Sequence, residues 1–369
     1  MIPPLGGSSQ QNSLDELGHT PHALLMECRY FVELQFSADH IRDIEALGKM
    51  LKDNPEHADL IAQGQRAIKV SDASKLATLL SDGLATFGSV HPLLAIKSWY
   101  EVTTSVYQSK GISEQIRIAT LLDIKLWMES YSQSHGGKTG LEQVFWISRH
   151  LCANILRMGR LQYETKPFNQ PVNIYRDKRT ETLIVLAEKS LACSELGHLA
   201  SETPIAFTTS WFEDEHIITA HPVDTTSACI HTESSTFVKA DMHLVCERET
   251  EVVFIHIPSN EPLHPQAVED SLLQAKAHFP SQTVFVCISW LLDPALSLVA
   301  SQASNIVSFM QRFAKFPVPF QNAQIFERVF GQGMSKSEIL HMQGRTSLQA
   351  NIQRELRNGT VFRTIGGIL

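Results

Sequence analysis

The sequence has no excess of basic residues and no long apolar run. Its 31 Lys+Arg and 39 Asp+Glu give a formal net charge of -8, which excludes the basic footprint of a nucleic-acid-binding protein and a polybasic membrane face. The most apolar stretch, "VFVCISWLLDPALSLVA" from residue 284, is interrupted by Asp293 and Pro294, well short of the roughly 20 residues that a membrane helix needs. We therefore expect a small-molecule or protein partner, with no nucleic acid and no membrane.

Cysteine pairs and an export signal are also lacking. The six cysteines lie far apart with no C-x-x-C pair, the usage typical of buried thiols in a reducing compartment. The opening "MIPPLGGSSQQNSLDELG" has neither the basic start nor the apolar segment of a secretory signal. Its Pro, Gly, Ser and Gln content predicts a loose tail over residues 1–13. Together these absences predict a cytoplasmic protein without disulfides.

The sequence does contain two halves with different hydrophobic periods. A chain of 369 residues, 43% of them hydrophobic, exceeds what one core usually serves. From about residue 14 to 158 the apolar residues recur at helical spacing, as in "GISEQIRIATLLDIKLWMESY", so we predict an all-helical domain over residues 1–158. Its last helix is predicted to begin at a capping box of Thr139 and Glu142 and to end near residue 158, with Gly159 just beyond.

After Gly159 the period changes to that of a strand. In "LQYETKPF", Leu161 and Tyr163 alternate with Gln162 and Glu164, as in a half-exposed strand. The strand-like runs "TLIVLAEK", "SWFEDEHIITAHPV" and "DMHLVCERETEVVFIHIP" follow, and helices then alternate with strands. The sequence therefore predicts a second domain over residues 159–369 that mixes strands and helices, and an α+β fold for the whole chain.

A short polar loop separates a strand from a helix in "VVFIHIPSNEPLHPQAVEDSLLQAKAHF", residues 252–279. The N–H groups at a helix start carry partial positive charge and can hold an anion. This loop has no glycine, however, its prolines at 258, 262 and 265 have no N–H to donate, and Glu261 adds a negative charge. Two interpretations stay open: a phosphate pocket, or a rigid turn in which Pro265 occupies the first helical position.

Five phrases of the second half resemble a bacterial family of acyltransferase-domain proteins, which joins an all-helical N-terminal domain to a GNAT-like C-terminal domain. The phrases, in order, are "LRMGRLQYE", "VVFIHIPSNEPLHPQAV", "FVCISWLLDPAL", "SNIVSFMQRF" and "TSLQANIQRELRNGTVFRTIGGIL". "YQSKGISEQIRIATLLDIKLWMESY" is similar to the family's N-terminal half, so the likeness covers most of the chain from about residue 80. The resemblance implies that residues 159–369 form a GNAT-like mixed α/β domain with a central twisted sheet.

The resemblance also implies a coenzyme A thioester, acetyl-CoA or another acyl-CoA, as co-substrate. Coenzyme A would enter between two parallel strands, here residues 252–257 and 283–289, with its pyrophosphate against the loop from Pro258 to His264. The residues implied to bind it are Ile257, Ser259, Asn260, Leu263, Gln266 and Asn305. For Asn305 the alternative is a helix N-cap.

Candidate catalytic residues lie at the ends of these two strands. Acyl transfer to an amine needs a base, and His256 interrupts an apolar strand near its C-terminal end. Ser289, at the end of the second strand, is the candidate that protonates the leaving thiolate. The alternatives are a hydrogen-bonded core histidine and, at the second strand, a turn cap by Asp293 with simple packing of Trp290. Cys287, beside no obvious base, is predicted to be a buried thiol.

Arg160, Gln162 and Glu164 are the candidate substrate residues. They line an acceptor cleft between the domains, or else the strand simply presents a solvated polar face, which is the commoner case. No metal site is predicted, because the scattered His and Cys residues have spacings that match no zinc module. Those residues are His216, His221, Cys229, His231, His243 and Cys246.

The sequence thus predicts an acyltransferase that moves an acyl group from a coenzyme A thioester to an amine on a small molecule or peptide. The alternative is a non-catalytic GNAT-like module that serves in ligand binding or assembly. The glycine-free loop favours the alternative, and the five phrases around it favour the enzyme.

Overall fold

The computed structural model describes residues 29–200, 204–259, 261–319, 324–331 and 333–369. The chain forms two compact units that divide between Leu156 and Arg157, near the change of hydrophobic period at Gly159. The tail predicted over residues 1–13 and Cys28 lie outside the described residues. No helix among the described residues is long and apolar enough to cross a membrane.

The first unit is helical, as predicted. Residues 29–33 are helical, and the side chains of Ser37, Asn54, Asp72 and Ser113 cap helices that follow by accepting an N–H from the first turn. The helices are α1 (Ala38–Met50), α2 (Pro55–Lys69), α3 (Ala73–Phe87), α4 (His91–Ser109), α5 (Glu114–Leu121), α6 (Asp123–Ser134) and α7 (Val144–Leu151).

The helix predicted from Thr139 to about residue 158 is shorter in the structure. Helix α7 begins at Val144 and ends at Leu151, and Leu156–Met158 is a strand. The N-cap of α7 is Gln143 rather than Thr139, and the Thr139 hydroxyl donates to Asp43 Oδ2 at 2.6 Å. The prediction was wrong beyond Leu151 because the strand that follows is buried as well, and a short buried apolar run cannot be assigned to helix or strand by its period.

The second unit contains a main sheet, several smaller sheets and helices. The strands are β1 (Leu156–Met158), β2 (Leu161–Pro167), β3 (Val172–Asp177), β4 (Leu183–Ala187), β5 (Ala192–Cys193), β6 (Phe207–Thr208), β7 (Trp211–Glu213), β8 (Ile217–Ala220), β9 (Val223–Asp224), β10 (Cys229–Ile230), β11 (Ser235–Val238), β12 (Met242–Cys246), β13 (Glu251–His256), β14 (Phe285–Ser289), β15 (Ala314–Pro317) and β16 (Ile365–Ile368). The helices are α8 (Pro265–His278), α9 (Asn305–Met310), α10 (Gln324–Phe330), α11 (Lys336–His341) and α12 (Ser347–Arg357).

The main sheet has six strands in the order β1-β2-β13-β14-β16-β15. Strands β13 and β14 run parallel, whereas β2 with β13, β14 with β16, and β16 with β15 run antiparallel. Helix α8 connects the two parallel strands, as such a connection requires. The mixed α/β architecture predicted for the second half is therefore confirmed.

Both faces of the main sheet are covered. On one face, apolar side chains of the main sheet pack against those of β3 and β4 in a single hydrophobic core. This core includes Val252, Phe254, Val286, Val172, Ile174 and Val185. On the other face, the Ser271 hydroxyl of α8 accepts from the Leu161 N–H at 3.1 Å, lies 2.8 Å from the Tyr163 hydroxyl and donates to the Met158 carbonyl. These buried bonds fix α8 against β1 and β2.

Candidate active site

The parallel strands β13 and β14 end at the same edge of the main sheet. Residues 253–255 of β13 pair with residues 285–287 of β14, and His256 is the last residue of β13. Beyond it, a loop leads to Pro265 at the start of α8. The strand, loop and helix start that the sequence predicts are thus adjacent in the structure.

His256 lies against a carboxylate from the neighbouring strand. In the antiparallel register of β2 and β13, His256 is opposite Gln162 and Phe254 is opposite Glu164. The His256 Nε2 atom lies 3.1 Å from Glu164 Oε2, and Lys166 Nζ lies 3.2 Å from the same oxygen. The His256 side chain is 23% exposed and that of Glu164 is 9% exposed. A half-buried imidazole is therefore held by a buried carboxylate at the end of the strand.

This pair has the parts of a general base and its orienting group. An ionised carboxylate only accepts hydrogen bonds, so Nε2 of the neutral His256 ring carries the proton and Nδ1 carries the lone pair. Glu164 also stabilises the imidazolium that forms when the ring takes a proton, since opposite charges at this distance favour each other. Lys166 balances part of the Glu164 charge when the histidine is neutral.

Arg160 holds the loop that follows β13. Its Nε donates to the Pro262 carbonyl at 3.1 Å, and its Nη2 donates to the Glu261 carbonyl. In a trans peptide the C=O and N–H groups point in opposite directions, so the Leu263 N–H points away from the guanidinium. The side chain of Glu261 pairs with Arg157 Nη2 at 3.1 Å, which offsets the negative charge that the sequence places in the predicted phosphate loop.

Arg160, Gln162 and Glu164 do not form a solvated strand face. Their exposures are 4%, 1% and 7%, so the half-exposed strand predicted from the alternation is wrong at Gln162 and Glu164 of β2. The error has a physical cause, because period 2 identifies which residues share a face but not whether that face meets water. Buried polar side chains at alternate positions are a stronger sign of a site than exposed ones.

The predicted coenzyme A residues lie along the loop and the two helix starts beside it. The Leu263 side chain is buried in the core, Ile257 is half-buried and Ser259 is exposed. The Gln266 side chain donates to Asp270 at 2.8 Å. Asn260 lies outside the described residues. Among the described residues no side chain caps α8 at its N-cap His264, so the N–H groups of its first turn are suited to another acceptor.

Asn305 does not cap α9. Ser304 occupies the cap and accepts from the Val307 N–H, while Asn305 Nδ2 lies 3.3 Å from His264 Nδ1. The alternative that Asn305 is an N-cap is therefore wrong, because the preceding residue is the cap. The contact between Asn305 and His264 joins the starts of α8 and α9.

Ser289 is not grouped with His256. Phe254 pairs with Val286 across β13 and β14, so alternation places His256 and Ser289 on opposite faces of the sheet. The Ser289 hydroxyl accepts from the Leu291 N–H at 3.1 Å and caps the turn that follows. The structure thus gives no support to Ser289 as an acid beside His256.

The other residues near the end of β14 have structural roles. Asp293 accepts from the Ala295 N–H at 3.0 Å and from the Arg363 N–H, so it caps a turn, which confirms that alternative. Burial raises the pKa of Asp293 to about 6. Cys287 is 1% exposed, and burial raises the pKa of its thiol to about 12, so the prediction of a buried thiol is confirmed.

A cavity of about 350 Å³ lies on the smaller sheets rather than at the strand ends. Tyr175 and Trp211 line it, and an ion pair of Glu213 with Lys239 at 2.7 Å closes one side. Its residues include none of the polar groups of β2 or β13, so it is separate from the His256 site. No group of three or more His, Cys, Asp or Glu residues gathers in the parts of the chain that the structure describes.

Sequence reasoning missed the contacts that build the site. It named His256 and Glu164 for different roles and did not pair them, and it gave Arg160 no part in holding the loop. One signal was present, since Gln162, Glu164 and Lys166 are polar at alternate positions of one strand and Arg160 precedes them at the same spacing. Only the register with β13 shows that this row lies opposite His256.

Comparison with known proteins gives two family matches and a set of similar structures. The family described as N-acyltransferase N-terminal domain matches residues 29–153, and the family described as GNAT-like C-terminal domain matches residues 155–369. No curated protein matches the sequence.

The similar structures share the fold across most of the chain. One is an acyltransferase in complex with decanoyl-CoA and teicoplanin, with 17% identity, a TM-score of 0.60, and coverage of 93% of this chain and 87% of that chain. An acyltransferase mutant in complex with octanoyl-CoA gives the same identity, coverage and TM-score. A complex with CoA and 10C-teicoplanin gives a TM-score of 0.59 at 17% identity, with 93% of this chain and 87% of that chain covered. The protein therefore belongs to the family that joins an N-acyltransferase N-terminal domain to a GNAT-like C-terminal domain.

Proposed function

We propose that this protein transfers an acyl group from a coenzyme A thioester to an amine acceptor. The observation that carries the proposal is the His256–Glu164 pair at the end of the parallel strands, beside a loop whose carbonyls are held inward. The similar acyltransferases, which bind decanoyl-CoA, octanoyl-CoA and teicoplanin, support an acyl-CoA donor and a small-molecule acceptor.

The loop is proposed to receive the coenzyme A phosphates without the help of glycine. Arg160 fixes the carbonyls of Glu261 and Pro262, so the Leu263 N–H is directed to the opposite side. The N–H of Gln266 lies in the first turn of α8, whose partial positive charge favours an anion. The Ser259 hydroxyl and the Asn305 amide complete the proposed set of donors.

In the proposed reaction His256 is the general base. It takes a proton from the acceptor ammonium, and the amine then attacks the thioester carbonyl directly, so no covalent enzyme intermediate is needed. Glu164 is a positioning residue, because it acts on the imidazole rather than on the substrate. This base is expected to contribute on the order of a hundredfold or more to the rate.

Binding of the donor is tested by thermal unfolding with acetyl-CoA and octanoyl-CoA. A ligand that binds only the folded state raises the free energy of unfolding by about 2.7 kcal/mol at a hundredfold excess over its Kd. We expect at least one thioester to raise Tm by several degrees at millimolar concentration. If neither does, the non-catalytic GNAT-like module becomes the better account.

Catalysis is tested with His256→Gln, which keeps a hydrogen-bonding side chain of similar size. Release of coenzyme A in the presence of an accepted amine should fall about a hundredfold, and the acid limb of the pH–rate profile should disappear. Glu164→Gln should lower the rate about tenfold or more while His256 remains. The matched control is His243→Gln on β12, an exposed position. Turnover by the His256 variant within a few-fold of the parent would refute its role as base.

A further inference from the structure

Two buried hydrogen-bond donors, one in β2 and one just before it, have no acceptor among the described residues. Arg160 is 4% exposed and Gln162 is 1% exposed. Arg160 uses Nε and Nη2 to hold the loop, but its Nη1 and the Gln162 Nε2 are buried and make no hydrogen bond to any described residue. Buried polar atoms in native proteins are nearly always paired. Two such atoms only two residues apart, and next to the proposed base, are suited to an acceptor from outside the chain.

One of the two donors lies on the same strand face as the proposed base, and the other lies in the turn just before that strand. Gln162 and Glu164 occupy alternate positions of β2, so their side chains are on one face, and Arg160 is the last residue before β2. Gln162 is directly opposite His256 in the register with β13, a position at which side chains on neighbouring strands lie about 5 Å apart at Cβ. The donor of Gln162 is therefore next to the imidazole, and the Arg160 cation lies one step further along.

The charges have a definite order along the chain from the turn before β2 into the strand. The cationic donor Arg160 comes first in the turn, then the neutral donor of Gln162, and then the Glu164 carboxylate with His256. Lys166 follows Glu164 on the side away from Arg160 and pairs with it at 3.2 Å. The face thus offers donors for an anion at one end and an acceptor for an ammonium proton at the other.

We propose that the acceptor is an α-amino acid, whose carboxylate binds Arg160 Nη1 and Gln162 Nε2 while its amine lies at His256. The amine and the carboxylate of such a molecule are separated by one carbon atom, which matches neighbouring groups on a single strand face. A carboxylate also suits the donors chemically, since it is a strong acceptor for both a guanidinium and an amide N–H. This inference rests on the acyl transfer proposed above.

The acyl group moves from the sulfur of coenzyme A to the nitrogen of the amino acid. The ammonium gives one proton to His256, and the neutral amine attacks the carbonyl carbon of the thioester. The C–N bond forms and the C–S bond breaks, with the electron pair leaving on sulfur. The second proton lost by nitrogen ends on the thiolate, so the products are an N-acyl amino acid, free coenzyme A and a proton that His256 returns to water.

The test measures binding and turnover separately. Each of the twenty L-amino acids, its carboxamide and the amine that lacks the carboxyl group are titrated into the full chain by calorimetry, with and without coenzyme A. The same compounds are assayed with octanoyl-CoA and acetyl-CoA for thiol release. We expect at least one amino acid to bind, and to be acylated with a kcat/KM, at least tenfold above those of its carboxamide and its amine.

Variants of Gln162 test whether the preference for a substrate carboxylate depends on the Gln162 side chain. Gln162→Met keeps the volume but removes the donor, and Gln162→Glu places a negative charge against the carboxylate. The ratio of kcat/KM for the amino acid to that for its amine should fall about tenfold in the first variant and further in the second. Gln324→Met on α10, at an exposed position, is the matched control and should keep the parent ratio. Tm and circular dichroism show which variants are folded, and the wild-type comparison of compounds stands without them.

The outcomes separate this inference from the proposed function. Amines accepted without any preference for a carboxylate would overturn the inference and leave acyl transfer in place. Amino acids that bind through their carboxylate without any thiol release would support the carboxylate site, but they would overturn acyl transfer and with it the role of the amino acid as acceptor. If no amino acid binds and none is acylated, the carboxylate site is refuted.

Discussion

Replacement of Ser271 by Ala tests whether the hydrogen bonds of α8 anchor strand β2, which carries Gln162 and Glu164. The Ser271 hydroxyl is fully buried and makes three hydrogen bonds, with the Leu161 N–H at 3.1 Å, the Tyr163 hydroxyl at 2.8 Å and the Met158 carbonyl. Removal of the oxygen takes one hydrogen-bond partner from each of three buried polar groups. Each such group costs about 1–3 kcal/mol, and partial relaxation brings the expected loss to about 3–4 kcal/mol.

That loss is a large part of the roughly 5–15 kcal/mol that stabilises a typical domain. Urea unfolding followed by circular dichroism should therefore show a much lower midpoint for Ser271→Ala with an unchanged slope. The matched control is Ser347→Ala at an exposed position in α12, which should stay within about 0.5 kcal/mol of the parent.

A double variant tests whether Ser271 and Tyr163 act together in this hydrogen-bond network. Tyr163→Phe alone removes one bond and should cost about 1 kcal/mol. In the background of Ser271→Ala it should cost less, because the tyrosine hydroxyl is then already unpaired, and the coupling should be about 1 kcal/mol or more. Strictly additive effects, or a loss below about 1 kcal/mol for Ser271→Ala, would show that water replaces the serine and that the network does not anchor α8.

Two further changes test other parts of the second unit. Gly197 has a φ of 76°, and an added Cβ would overlap the carbonyl oxygen of Ile230, so Gly197→Ala should cost at least about 2 kcal/mol in urea unfolding; Gly359→Ala, with a φ of 89° and no atom within 4 Å, is the control, and equal losses would contradict the clash. Burial raises the pKa of Asp293 from 3.8 to about 6, despite the hydrogen bond from Arg363. Because the folded state then keeps the proton more tightly between about pH 4 and pH 6, the free energy of unfolding of the parent should fall relative to Asp293→Asn by about 3 kcal/mol as the pH rises through that range. Parallel pH profiles for the two proteins would exclude this titration.

Local signals in the sequence determined the elements that lead into the site. The apolar run that ends at His256 formed a strand, and Pro265 opened the next helix because its fixed φ suits that position and its missing N–H costs nothing there. The change from helical to alternating spacing near Gly159 separated a helical half from a half rich in strands. These features depend on residues close together in the chain, so their pattern could be read directly.

Local signals in the sequence failed to predict those features that depend on burial or on contacts with distant residues. The run through Leu156 fitted a helix and formed a strand, since a buried apolar segment satisfies either period. Asn305 and Ser304 were equally good caps by composition, and only the fold gave the cap to Ser304 and left Asn305 to reach His264.

The contacts of the site itself were decided by tertiary structure alone. His256 and Glu164 are 92 residues apart in the chain, and their contact depends on the register between β2 and β13, which no local pattern states. The sequence by itself determined that a polar row on one strand and a histidine on another would exist. The fold decided that Gln162 lies opposite His256, that Arg160, Gln162 and Glu164 are buried, and that Arg160 Nη1 and Gln162 Nε2 have no partner among the described residues, because register and burial arise only when distant segments pack together.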